Sequence, residues 1–150
     1  MQDLEAWRRD YSLTEEKRRI RSHPRVIKNP LAQFEKGHPG SVGPSNSGLR
    51  TVDASWEVLP PGGRSSKHGH QNDAIFYILE GKGYDIHDGE RFDWEAGDVC
   101  IVPPGCVHQH FNASDTQRAV ALVIRGKPLY LNINLMEQKQ VEPPWSPQGS

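Results

Sequence analysis

Residues 62–70 read Gly-Gly-Arg-Ser-Ser-Lys-His-Gly-His, and residues 105–112 read Gly-Cys-Val-His-Gln-His-Phe-Asn. Each stretch carries a His-X-His pair in a setting that reads as a β-strand. Side chains two apart on a strand project to the same face. His68 and His70 therefore turn two imidazoles toward one side of one strand, and His108 and His110 do the same on another. These pairs take up four of the seven histidines. Imidazole is a ligand for zinc, iron, copper and nickel alike, and no thiolate cluster competes for the role. The two cysteines, Cys100 and Cys106, form neither a Cys-X-X-Cys unit nor a disulfide framework and read as reduced thiols. One such histidine pair is also what a hydrogen-bonded core or a solvated surface produces. Two pairs on strands of one small barrel point to a metal centre inside it.

Around these pairs the chain consists of short apolar, aromatic and β-branched runs separated by turn residues. That pattern predicts strands over 55–59, 65–70, 74–79, 83–87, 91–94, 98–102, 107–112, 119–124 and 128–134. Asp88-Gly89 falls between two of them, and both positions tolerate positive φ, which predicts a two-residue hairpin. The fold class expected is all-β, a closed or sandwiched antiparallel barrel. The barrel occupies 49–136. Residues 1–48 form an N-terminal extension, helical up to about Ser22: Ser12 and Glu15 match a capping box, and Pro24 stops the helix. Its basic residues, Arg8, Arg9, Lys17, Arg18, Arg19 and Arg21, read as a solvated helix face. Between Gln33 and Gly48 glycine and proline predict an irregular connection. Residues 137–150 read as a flexible tail.

The whole chain has 150 residues, 35% hydrophobic and 25% charged, with 14 glycines and 12 prolines. This is a turn-rich globular composition of one-domain size. A formal net charge of −1 leaves no electrostatic footprint for nucleic acid. No apolar stretch approaches the roughly 20 residues that cross a bilayer, and the N-terminus is charged rather than signal-like. A soluble cytoplasmic protein is expected.

The offsets around the histidines resemble the two signatures of the cupin superfamily. Gly62, five residues, His68-Gly69-His70, three residues, Ala74, six residues and Gly81 match the first signature except at Ala74. Gly97, five residues, Pro103-Pro104-Gly105, two residues, His108, three residues and Asn112 match the second throughout. The resemblance runs over about 55–124. It implies a cupin double-stranded β-helix, or jelly roll, holding one metal ion, with His68, His70 and His108 at ligand positions. The glycines and Pro103 read independently as turns between strands.

Ala74 stands where many cupins carry a ligand glutamate. Asp73 beside it faces away by strand alternation unless a bulge intervenes. Three neutral imidazoles then leave a divalent charge uncompensated, which favours an anionic, bidentate substrate such as a catecholate, hydroxybenzoate or enolate. This three-histidine pattern is similar to the gentisate-type dioxygenases, and to thiol and β-diketone dioxygenases. In the gentisate type a second histidine also follows the third ligand by two residues, as His110 follows His108. The resemblance implies Fe(II), a substrate chelating through two oxygens, and O₂. Zn, Ni, Mn or Cu are alternative metals, although Zn has no redox couple for O₂.

Position suggests further roles. His110 is a candidate acid/base or second-layer hydrogen-bond donor, with a hydrogen-bonded core residue as the alternative. Arg64 and Ser66 share the parity of His68, and Arg64 is a candidate clamp for a substrate carboxylate. Phe76, Ile78, Val120 and Leu122 are candidates for an apolar wall, and Cys106 for a thiol near the site or a small buried hydrophobe. Two other classes stay open: a lyase, isomerase or hydrolase using the metal as a Lewis acid, and a non-catalytic ligand-binding cupin. Gentisate-type enzymes usually carry two cupin repeats and this chain has one, so a homodimer is expected to supply the missing support.

Overall fold

The computed structural model describes residues 40–42 and 49–143. The expected N-terminal helix and the end of the tail lie outside these residues. The elements are β1 (Gly40–Val42), β2 (Asp53–Leu59), β3 (Lys67–His70), β4 (Ala74–Glu80), β5 (Lys82–His87), β6 (Glu90–Glu95), β7 (Val99–Val102), β8 (Val107–Asn112), β9 (Ala119–Arg125), α1 (Lys127–Asn132) and β10 (Gln138–Glu142). They build two five-stranded sheets, ordered β1-β2-β9-β4-β7 and β10-β3-β8-β5-β6. Every pairing is antiparallel.

Alternation explains how the sheets close on one another. β4 reads Ala-Ile-Phe-Tyr-Ile-Leu-Glu, and its even positions Ala74, Phe76 and Ile78 are buried while Ile75, Tyr77 and Leu79 are exposed. The buried set packs with Leu59, Trp94, Val102, Ala121 and Val123. Full burial of a large aliphatic or aromatic side chain stabilises by about 1.5–3 kcal/mol, so this inner layer holds the two sheets together. Trp94 brings its indole nitrogen inside and satisfies it by donating to Asp85 Oδ1 at 2.8 Å. The β5–β6 hairpin turns at Asp88 (φ 48°) and Gly89 (φ 92°), the double positive φ of a type I′ turn. Gly83 is required for a different reason, since a Cβ there would strike the Phe111 carbonyl oxygen and the Trp94 ring.

Asn112 knits the far end of the barrel. Its side-chain amide donates to the carbonyls of Leu59, Pro60 and Gln117, and its Oδ1 accepts from Ser114 N–H.

Four sequence expectations are corrected. Gly40–Val42, within the expected irregular connection, is β1, paired with β2 at the edge of its sheet. Residues 128–134 are not a strand: Lys127–Asn132 is the short helix α1, with Pro128 in its first turn. Proline lacks the N–H a ladder needs but is preset for a helix start. Gln138–Glu142, expected in the tail, is β10, which pairs with β3 at the edge of its sheet. Its polar sequence fits an edge that faces solvent on both sides. The inner wall from β9 is Ala119, Ala121 and Val123, whereas Leu122 sits opposite Trp56 and Tyr77 on the outer face. No helix among the described residues is long and apolar enough to cross a membrane.

Candidate metal centre

β3 and β8 are neighbours, and their register sets His68 directly opposite His108. His70, two residues on, shares the inward face. The three rings converge, with centroids 4.4 Å apart for His68 and His108, 4.8 Å for His70 and His108, and 5.5 Å for His68 and His70. One ring nitrogen from each lies within 4.8 Å of the others, and no carboxylate or thiol belongs to the group among the described residues.

The hydrogen bonds fix which nitrogen faces the centre. His68 Nδ1 lies 3.1 Å from the Ser66 carbonyl, His70 Nδ1 2.6 Å from the Asn72 carbonyl, and His108 Nδ1 3.1 Å from the Cys106 carbonyl. A carbonyl oxygen only accepts, so each Nδ1 carries the proton and each Nε2 keeps its lone pair. Burial also keeps the rings neutral. It lowers His68 and His70 against the opposing pull of their carbonyl bonds, and it lowers His108 to about 3 with help from the charge of His110. Three neutral, preoriented imidazoles with free Nε2 lone pairs suit a divalent first-row metal.

These rings open into a cleft of about 260 Å³. Phe76, Ala74 and Asn72 form one side; Glu57, Ser66 and His110 continue the wall; Arg125, Lys127 and Gln138 also line it. Arg125 is held by Asp53, at 3.1 and 3.3 Å, and by Ser55 Oγ at 3.2 Å. Lys127 Nζ donates to Gln138 Oε1 at 3.2 Å. Behind His110 a small void of about 20 Å³ lies in the apolar interior between Leu59, Ile78, Trp94 and Cys100.

His110 and Asp85 are register partners on β8 and β5. His110 Nδ1 donates to Asp85 Oδ1 at 2.8 Å, and both residues are buried. Burial works against charge on both, but the pairing prevails. His110 is pushed up to about 9, and Asp85 is held below the usual carboxylate range by His110 and the Trp94 N–H. Among the described residues His110 Nε2 has no hydrogen-bond partner, and His110 lines both cavities. His87, also on β5, places Nε2 3.4 Å from Asp85 Oδ2. Glu57 lines both cavities too, and burial raises its carboxyl, with His110 partly opposing.

Of the residues singled out by sequence, His68, His70, His108, His110, Ser66, Phe76 and Ala74 meet at this cleft. Arg64 does not: it is exposed, bridges Phe111 on β8, and lies outside the cleft lining. It precedes β3, so the strand parity that aimed it inward does not extend to it. Asp73 is exposed and stands apart from the three histidines, with its carbonyl accepting from Gly126 N–H. Cys106 is buried in the core, and burial followed by the nearby Asp88 charge pushes its thiol up to about 11. Sequence reasoning missed Asp85, Glu57, Arg125 and Lys127. Asp85 and Glu57 had a readable signal, a charged residue at an inward position of a strand. Lys127 had none once its segment was read as β.

The Cupin domain family model matches residues 55–125. Over 79 residues the chain is 35% identical to gentisate 1,2 dioxygenase 1 of Aquipseudomonas alcaligenes, covering 52% of this chain and 22% of that protein. Over 67 residues it is 36% identical to the oxalate-binding protein of Thermotoga maritima, covering 44% of this chain and 55% of that one. Among solved structures, a salicylate 1,2-dioxygenase from Pseudaminobacter salicylatoxidans superposes with a TM-score of 0.61 at 19% identity, covering 87% of this chain and 36% of the other. The chain thus matches only 22% and 36% of the length of these dioxygenases. With its two-sheet barrel, its signature turns and its inward histidines, this chain has the cupin fold, matches the Cupin domain model over residues 55–125 and is similar in part to gentisate 1,2 dioxygenase 1.

Proposed function

We propose that the chain is a mononuclear metal-dependent cupin acting as an Fe(II) dioxygenase on a small, chelating organic acid: a catechol, hydroxybenzoate, diketone or similar compound. One observation carries the reading: three neutral imidazoles converge with no carboxylate among them. His68, His70 and His108 hold the metal through Nε2. Bound Fe(II) supplies a redox couple for O₂ and open positions for substrate oxygens; Zn, Ni, Mn or Cu fit the same nitrogens. An anionic bidentate substrate offsets the charge that neutral ligands leave. His110, anchored by Asp85, offers its unpartnered Nε2 to the cleft and exchanges a proton with a substrate hydroxyl there. Phe76 limits water on the apolar side. The similarity to gentisate 1,2 dioxygenase 1 supports this chemistry.

A second reading is a non-catalytic binder of a small acid, favoured by the similarity to an oxalate-binding protein. Metal analysis of protein purified without added metal, followed by oxygen uptake after anaerobic Fe(II) loading, separates the two. Oxygen consumption with catechols, hydroxybenzoates, diketones or thiols that depends on both iron and substrate supports the dioxygenase. Turnover unchanged under strict anaerobiosis shifts the assignment to Lewis-acid chemistry, and tight binding without turnover to the binder.

We assign the chain to the cytoplasm, where Cys100 and Cys106, both free thiols, stay reduced. We further propose a homodimer joined through the outer face of β4, β7 and β9. Ile75, Tyr77, Val99, Ile101 and Ile124 are all exposed there, in register across three neighbouring strands. A face so apolar and free of charge is complementary to itself, as a two-fold contact requires.

A further inference from the structure

Two cations line the cleft, and they differ in how their charge is balanced. Arg125 is paired with Asp53 through two nitrogens and pinned by Ser55, so its charge is offset within the wall. Lys127 is partly buried and, among the described residues, its ammonium meets only the uncharged Oε1 of Gln138, at 3.2 Å. Among the described residues no carboxylate lies within ion-pair distance of it. Gln138 in turn is fixed by β10, whose register places it directly opposite His70. The helix start and the edge strand therefore hold an unbalanced ammonium and an amide over the same cleft as the three histidines. Both residues lie beyond the span that matches the cupin domain, 55–125, so this arrangement belongs to the C-terminal segment of this chain.

We infer that Lys127, steadied by Gln138, determines specificity by binding a second anionic group of the substrate, one that does not chelate the metal. This rests on the reading of the three histidines as a metal centre at which a substrate chelates. It narrows the substrate to a chelating acid that carries a separate carboxylate. A divalent ion on neutral ligands and an unbalanced ammonium on the wall together favour a ligand with negative charge at both ends. The ammonium gives the distal carboxylate a charge-assisted hydrogen bond in a site partly shielded from water.

Catechol and 3,4-dihydroxybenzoate share a chelating end and differ by one carboxylate. The full chain is loaded with Zn(II), which performs no redox chemistry on either probe, and titrated calorimetrically with each. For Lys127→Met, affinity for 3,4-dihydroxybenzoate is expected to fall about tenfold, the range of one hydrogen bond to a charged group, while affinity for catechol stays within about twofold. Lys127→Arg should keep the affinity for 3,4-dihydroxybenzoate. Zinc content and thermal melting check that each variant is folded and loaded, and Lys127→Gln replaces the methionine variant if that one is not. An equal loss for both probes, or no loss for either, overturns the inference and leaves the metal reading standing. If neither probe binds the zinc-loaded wild type although zinc is retained, the chelation reading fails and the inference fails with it.

Discussion

His110 and Asp85 face each other across β8 and β5, Nδ1 to Oδ1 at 2.8 Å, with both side chains buried. Their pairing makes a pH signature. His110 titrates near 9 in the fold, above its unfolded value of about 6.5, so its contribution is complete below about pH 6.5 and is lost as pH rises through 9. Asp85 is held below the usual range, so the same pair is lost in acid, beneath about pH 3.9. Melting temperatures of the metal-free wild type should therefore decline between pH 6.5 and 9. Asp85→Asn should flatten that limb and lower stability by about 3 kcal/mol, the scale of breaking a buried pair.

The three histidines of the candidate metal centre work in the opposite direction. Burial lowers His68, His70 and His108, the last to about 3, so the fold favours their neutral forms. Their contribution is present above about pH 6.5 and is lost as pH falls toward the folded values. Metal-free protein should lose melting temperature progressively below pH 6.5, and His108→Ala should shrink that slope. Bound metal competes with protons for the same nitrogens, so the loaded protein should keep its stability to lower pH; scanning fluorimetry of both forms checks this.

Removing a ligand should separate metal from fold. His68→Ala or His108→Ala is expected to abolish metal retention, read by elemental analysis, while circular dichroism still reports the barrel. His110→Ala should retain the metal and slow turnover about 10²–10⁴-fold, the usual share of a positioned acid or base. Equal metal loss in the His110 variant would mean that its ring belongs with the other three.

The outer sheet face makes a prediction about assembly. Ile101 is 64% exposed at the centre of β7. If that face joins two copies, light scattering of the wild type gives twice the chain mass, and Ile101→Lys gives the chain mass with an unchanged circular dichroism spectrum. A wild-type monomer rejects the assignment.

How far the sequence could be read depended on whether a residue obeyed strand alternation. His68 with His70, and His108 with His110, did, so period-two geometry puts each pair on one face of its strand; that the two strands meet at one centre is what the resemblance to the cupin signatures implies. Phe76 and Ile78 obeyed alternation too, and they occupy the inner layer. Arg64 is misplaced by parity counted back past the start of β3, where it does not hold. Leu122 is misplaced because β9, Ala-Val-Ala-Leu-Val-Ile-Arg, is apolar at both parities, so alternation does not say which face is inward. Lys127 and Gln138 were invisible for another reason. Pro128 was taken into a strand, and the polar run Gln-Lys-Gln-Val-Glu has no apolar face to announce β10. An edge strand is recruited by the unpaired backbone of its neighbour, and side-chain pattern carries no trace of that.

That recruited strand binds the end of the chain to its chemistry. β3 has only four residues, and β10 supplies the hydrogen-bonded border on the side away from β8. Clipping the polypeptide before Gln138 would leave the backbone beside His68 and His70 bare to water and to foreign strands. Loss of a few polar residues far from the signatures would then loosen the two imidazoles and invite aggregation along the same seam.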